Sequence, residues 1–276
     1  MTDFDPDLIP IRPAATVLLV SDTPALKVLM MRRHANTVFA GGMWVFPGGA
    51  VDPEDAEIPT IGKVETVYPG DLPEADAASH RAYYVAAIRE CFEEAGILLA
   101  QPDSKASQEN AQPSSLDLYG RERDRINEGA LSFKTFLADH NLIADVGAIQ
   151  PVARWITPLG SPKRFDARFF LAVSPPTQRS SHDAGELVDS AWMTPQEILE
   201  KFEQGEMAIM TPTLRMIQNL SAFTDTEDIL NGLAASADYD RIRVDPDSRD
   251  LLLPGEPGYC EAADNIETGW VRLKPQ

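Results

Sequence analysis

Three glutamates stand within five residues in the stretch RECFEEAGI: Glu90, Glu93 and Glu94, with Arg89 just before them. On a helix these three carboxylates share one side, and like charges at such spacings cost a few tenths of a kcal/mol per pair, roughly. Acids late in a helix also face the unfavourable end of its dipole. A hard divalent cation would offset both penalties. Mg²⁺ prefers carboxylate oxygens, keeps several waters and commonly shares its shell with substrate phosphates. The spacing therefore suits cation-assisted chemistry on a phosphate compound. A solvated acidic face is the other use of the same residues.

The element that must carry them is a helix from about Ser79 to Ala95. Tyr84, Ala87, Ile88, Cys91, Phe92 and Ala95 recur at three and four to form an apolar stripe, with the glutamates expected opposite. Ser79 suits the N-cap and Gly96 the stop. Before the helix, AATVLLVSD (14 to 22) and LKVLMMRR (26 to 33) read as strands joined by a turn at Thr23-Pro24, and MWVF runs into the sharp turn Pro47-Gly48-Gly49. Residues 53 to 78 lack periodicity and read as an insertion, about 57 to 78, that leaves and rejoins the domain. Beyond the helix, 116 to 140 reads as one helical segment. AIQPVARWITP, RFDARFFLAVSP and ELVDSAWMTP read as strands, and Thr194-Pro195 and Thr211-Pro212 as two helix starts. A further helix follows from 225, and 238 to 276 reads as an extended tail. This order predicts an α/β/α sandwich with a mixed sheet over residues 12–220, and a C-terminal helix and tail, 221–276, packed on it.

Composition narrows the partners. The 276-residue chain carries a formal net charge of −19, which argues against nucleic acid or an anionic membrane as a partner. A small anionic substrate then needs local arginines, a cation, or both. The two cysteines, Cys91 and Cys260, exclude a disulfide framework. The N-terminal MTDFDPDLIPIRP has no signal-peptide pattern, no apolar run approaches a membrane span, and a cytoplasmic location is expected. A homodimer is compatible with these features.

Taken together, PGG at 47–49 and the run Arg89, Glu90, Glu93, Glu94, Gly96, Ile97 resemble the Nudix box, G-x5-E-x7-R-E-U-x-E-E-x-G-U, where U is aliphatic. The family places the glycine and the arginine fourteen positions apart; here Gly49 and Arg89 are forty apart. Counting forward puts Asp55 in the first acidic slot, and counting back from Arg89 puts Arg81 there. The forward count, with the insertion after Asp55, is preferred. An interrupted box, with RRHANTVFAGGMWVFPGGAVDP, WITPLGSPKRFDARFFLAVSP and GELVDSAWMTPQEIL, resembles the branch that contains coenzyme A and acyl-coenzyme A diphosphatases.

That resemblance implies a Mg²⁺- or Mn²⁺-dependent diphosphatase. Glu90, Glu93 and Glu94 would hold the cation with the carbonyl of Gly49, and Arg89 would fix a neighbouring carboxylate. The general base is expected among Glu93, Glu94, Glu186 and Asp183, with His182 a loop residue. Arg32, Arg33, Lys163, Arg164 and Arg168 are expected at strand ends as contacts for substrate phosphates. Trp44, Phe46 and Trp155 suit either an adenine or the core. The implied substrate is coenzyme A or an acyl-coenzyme A, cleaved to 3′,5′-ADP and (acyl-)phosphopantetheine. ADP-ribose, NADH or a nucleotide sugar is the alternative substrate. A non-catalytic nucleotide sensor is the alternative outside enzymes, and it has no need of a self-repelling acidic cluster.

Overall fold

The structure is a computed structural model and describes residues 9–35, 40–64, 77–103, 119–158, 161–178, 180, 187–235, 237–248, 250–262 and 269–274. In chain order the elements are β1 (Ile11–Ser21), β2 (Lys27–Arg33), β3 (Trp44–Val45), β4 (Gly48–Ala50), β5 (Thr60–Ile61), α1 (Ala77–Ala95), β6 (Ala100–Pro102), α2 (Gly120–Asn127), α3 (Phe133–Asp139), β7 (Leu142–Asp145) and β8 (Ile149–Ile156). They continue with β9 (Arg164–Val173), β10 (Leu187–Met193), α4 (Pro195–Glu203), α5 (Thr211–Leu220), α6 (Thr226–Ala235), β11 (Asp240–Arg241), β12 (Arg243–Val244), β13 (Leu251–Leu252) and β14 (Gly269–Val271).

Among the described residues the main sheet runs β10-β2-β1-β9-β8-β14-β11, with β3 on β2 and β4 on β1. It is mixed. β1 and β9 are parallel in register from Ile11 opposite Arg164 to Val20 opposite Val173, and their neighbours are antiparallel. The central strands are buried on both faces, which explains the unbroken apolar run of β1. Ala15, Val17 and Leu19 join a core beneath α1 and α3; Leu18 and Val20 join a second core beneath α4, α5 and α6. The period of two thus splits one strand between two cores, and helices cover both faces. A second sheet, β5-β7-β6, packs beside α1.

Four expectations change. The helical reading of 116–140 divides into α2 and α3 among its described residues, and Gly129, at φ +71, turns the chain between them. Thr194 caps α4 through a capping box with Glu197, but Thr211 lies inside α5 and Met210 occupies the cap position without a side-chain bond, so the two Thr-Pro starts differ. The C-terminal tail does more than pack on the domain: β14 pairs with β8, and β11 with β14, extending the main sheet. Gly269 (φ +128) permits that pairing, since a Cβ there would sit 2.0 Å from the Arg154 carbonyl oxygen. Finally, α1 is buried nearly all round, so its glutamates face protein rather than open solvent. Of the insertion, Thr60–Ile61 pairs with Ala144–Asp145 as an edge of the second sheet, and residues 65–76 lie outside the described residues. No described helix is long and apolar enough to cross a membrane.

Candidate active site

Arg89 organises the site. Its Nε donates to Asp55 Oδ1 at 3.0 Å and one terminal nitrogen to Asp55 Oδ2 at 3.1 Å, a forked pair that suits the planar guanidinium. The same nitrogen donates to the Ala50 carbonyl at 2.8 Å. The other terminal nitrogen donates to Glu90 Oε1 at 2.8 Å and Glu93 Oε2 at 3.2 Å. Asp52 stands 3.7 Å away. Arg89 thus ties α1 to β4 and to the 3-10 turn Pro53–Glu57.

That turn is built locally. Asp52 occupies its N-cap, Pro53 its first position, and the Asp55 carboxylate accepts the Asp52 amide at 2.8 Å. Asp55 is 1% exposed. Arg81, the other contender for the acidic slot, instead donates to the Ala56 carbonyl at 2.7 Å. The geometry therefore puts Asp55 opposite Arg89.

Gly49 lies against Glu90. A Cβ at Gly49 would fall 2.4–2.7 Å from the Glu90 carboxyl atoms, so any larger residue would displace the Glu90 carboxylate from this position. Glu94 is turned the other way and accepts the Gly48 amide at 2.8 Å. Burial pushes the Glu90 carboxyl up to about 7, opposed chiefly by Arg89 and reinforced by Glu93. Burial likewise raises Glu93 and Asp55, against the lowering pull of Arg89. Burial favours loss of the Arg89 proton, but the bonded Asp55 and the neighbouring Glu90 and Glu93 carboxylates outweigh it, so the guanidinium stays charged.

These donors suit a hard cation. Glu90 and Glu93 bring oxygens to one guanidinium nitrogen, the glycine backbone is adjacent, and burial makes uncompensated negative charge costly. Among the described residues no three side chains already converge as a cage. Arg89 draws two of the carboxylates and Gly48 the third. This fits a cation that keeps waters and borrows oxygens from a substrate phosphate.

The other candidates scatter. Lys163 and Arg32 are exposed, with Arg32 Nε bonded to the Gly42 carbonyl at 3.4 Å, and Arg33 is half-buried. Arg164 and Arg168 are buried, and Arg164 opens β9, at a strand end as expected. Arg164 donates to the Thr157 carbonyl at 3.1 Å. Arg168 sits inside β9, not at its end, with its guanidinium 4.0 Å from the Tyr83 ring centroid and 2.8 Å from His80 Nδ1. Phe46 and Trp155 are buried in the second core and Trp44 packs against it. His182, Asp183 and Glu186 lie outside the described residues.

Sequence reasoning passed over Arg123 and Asn127 of α2. Arg123 donates to the Glu93 carbonyl at 2.8 Å and the Glu94 carbonyl at 2.7 Å, and Asn127 to the Glu93 carbonyl at 3.3 Å. No local spacing announces a partner about thirty residues away; a basic residue in an otherwise amphipathic helix was the available signal.

Comparison with known proteins agrees with this geometry. The model of the NUDT19 Nudix domain matches residues 67–220. The chain is 26% identical over 283 residues to the human acyl-coenzyme A diphosphatase NUDT19, covering 87% of this chain and 74% of that protein. It is 28% identical to the Gallus gallus acyl-coenzyme A diphosphatase NUDT19, covering 79% and 70%. Among solved structures, a NUDIX hydrolase from Alicyclobacillus acidocaldarius superposes with TM-score 0.66 at 27% identity, covering 81% of this chain and 97% of that one.

Proposed function

Since this chain belongs to the Nudix hydrolase family through its NUDT19-type Nudix domain, we propose that it hydrolyses the diphosphate of coenzyme A or an acyl-coenzyme A, releasing 3′,5′-ADP and (acyl-)phosphopantetheine. The observation that carries this reading is the buried Glu90–Arg89–Glu93 arrangement against the Gly49 backbone, in a chain whose relatives include acyl-coenzyme A diphosphatases.

Family members are typically dependent on a divalent metal. Glu90, Glu93 and Glu94, with the Gly49 carbonyl, would hold Mg²⁺ or Mn²⁺, which when bound neutralises diphosphate charge and lowers the pKa of the attacking water. Arg89 holds the rotamers of Glu90 and Glu93 and anchors them to Asp55. Gly48 keeps the Glu94 carboxylate turned to its amide. The proton acceptor comes from Glu93, Glu94, Glu186 or Asp183, and the variant that loses the acidic limb of the pH profile of kcat identifies it. Exposed Arg32 and Lys163, with half-buried Arg33, are the basic residues suited to the outer phosphates. In an acidic chain, tight binding of a polyanion rests on such few local groups and the cation.

The test is a substrate panel with Mg²⁺ and products identified by mass spectrometry. Coenzyme A and acyl-coenzyme A should outrun ADP-ribose and NADH by at least about tenfold in kcat/KM, equivalent to about 1.4 kcal/mol of transition-state stabilisation. Faster cleavage of ADP-ribose would replace the substrate while keeping the chemistry.

A further inference from the structure

The last turn of a helix leaves carbonyls without helical partners. In α1 the chain itself serves two of them: Gly96 N donates to the Phe92 carbonyl at 2.9 Å and Ile97 N to the Cys91 carbonyl at 3.4 Å. The carbonyls of Glu93 and Glu94 instead receive Arg123, with Asn127 as a second donor to Glu93. These are the backbones of two residues whose side chains form the acidic cluster. Arg123 is itself buried, and its charge lies at the end of α1 where the helix dipole favours a cation. The seat is rigid: Phe92 of α1 stacks on Phe136 of α3 at 5.0 Å, and Tyr119, just before α2, meets Phe136 edge-on at 5.1 Å.

We propose that Arg123 is a positioning residue for the reaction: by holding the Glu93 and Glu94 carbonyls from α2, it sets where the last turn of α1 aims its two carboxylates and so tunes affinity for the divalent cation. Two carbonyls taken by one planar fork restrain both the translation and the twist of that turn. The inference rests on the reading that Glu93 and Glu94 hold the cation, and it adds a determinant thirty residues away in sequence on another helix.

The test uses the full chain and Mn²⁺ as the probe, with free Mn²⁺ counted by its electron paramagnetic resonance signal and melting followed without metal. Arg123→Ala and Arg123→Gln should weaken Mn²⁺ binding about tenfold, in the range seen when groups supporting metal ligands are lost. They should lower kcat more than they raise KM. Arg123→Lys, which keeps the charge but loses the fork, should recover only part. Ile126→Ala, which removes a buried side chain from the same helix, controls for loosening of α2 and should bind Mn²⁺ as the wild type does. Wild-type Mn²⁺ affinity in both Arg123→Gln and Arg123→Lys overturns the proposal, as does equal weakening by Ile126→Ala. Absence of Mn²⁺ binding by the wild-type protein brings down the metal reading itself and this inference with it.

Discussion

The two halves of α1 each bury a polar cluster, and the clusters differ in how their charge is shared. Toward its N-terminus, Tyr83 and His80 face the sheet. Arg154 forks onto Asp166 with two bonds of 2.8 Å, Tyr83 donates to the same carboxylate at 3.1 Å, and Arg168 stacks on Tyr83 and meets His80. One carboxylate there has a guanidinium of its own. Toward the C-terminus, Asp52, Asp55, Glu90 and Glu93 all lie within 4 Å of the single Arg89. The first cluster fastens helix to sheet. The second carries more negative charge than its arginine can match, and burial, reinforced by Glu93, pushes Glu90 up to about 7. A helix that fastens at one end is a firm base for ligands at the other.

Substitutions can break this contrast, beginning with the acidic end. Glu93→Gln should lower kcat by about a thousandfold or more, ~4 kcal/mol, while melting of the metal-free protein stays level or rises because a repelling charge is gone. Steady-state kinetics with Mg²⁺ and calorimetry on the same sample decide it; activity within tenfold of wild type would sink the assignment of this cluster.

Asp166→Asn should do the reverse. It leaves Arg154 buried without its counter-charge and should cost about 3 kcal/mol of stability, with kcat per folded molecule within about twofold of wild type. Urea unfolding gives the first quantity. A large loss of kcat at unchanged stability would show that the basic end also serves substrate.

Asp55→Asn probes the hinge between the two roles, since Asp55 accepts hydrogen bonds from Arg89 and from the Asp52 amide of its own turn. Metal affinity should fall by about tenfold to a hundredfold, measured by titration calorimetry with Mn²⁺. An unchanged affinity would make Asp55 a structural brace alone.

The smallest effect is in pH. The folded-state pKa of Glu90 lies above its usual value, because burial penalises the charged form. The folded protein therefore holds a proton that the unfolded chain releases between about pH 4.5 and 7. The contribution of Glu90 to stability is fully present below that range and is lost as pH rises through about 7. Metal-free protein should gain on the order of 1 kcal/mol from pH 7.5 to 5.5, and Glu90→Gln should flatten that slope. On the proposed assignment of Glu90 as a ligand, Mg²⁺ competes with the same proton, so its stabilisation should weaken as pH falls. A slope unaltered by Glu90→Gln would assign it to the general acidity of the chain.

Much of this was legible along the chain because it depends on neighbours. The three-and-four spacing of Tyr84, Ile88, Cys91 and Phe92 announces α1, the run from Arg89 to Ile97 announces the acidic cluster, and the apolar run of β1 announces a strand. The span of the sheet over β1, β2, β8, β9 and β10 follows the apolar runs read from their residues. What needed the fold is whatever depends on distance through space. Asp55 and Arg81 compete for one slot when counted, and the forked bond from Arg89 settles where Asp55 sits. Arg164 and Arg168 read as strand-end contacts for phosphate until the fold buries both, Arg168 against Tyr83 and His80 of α1. Arg123 looks like one more charge on a short helix until its fork closes on the carbonyls of Glu93 and Glu94. Local spacing determines which groups share a face, because backbone geometry repeats every few residues. Which face meets which is decided only when long-range packing brings distant segments together, and no short window of sequence contains that contact.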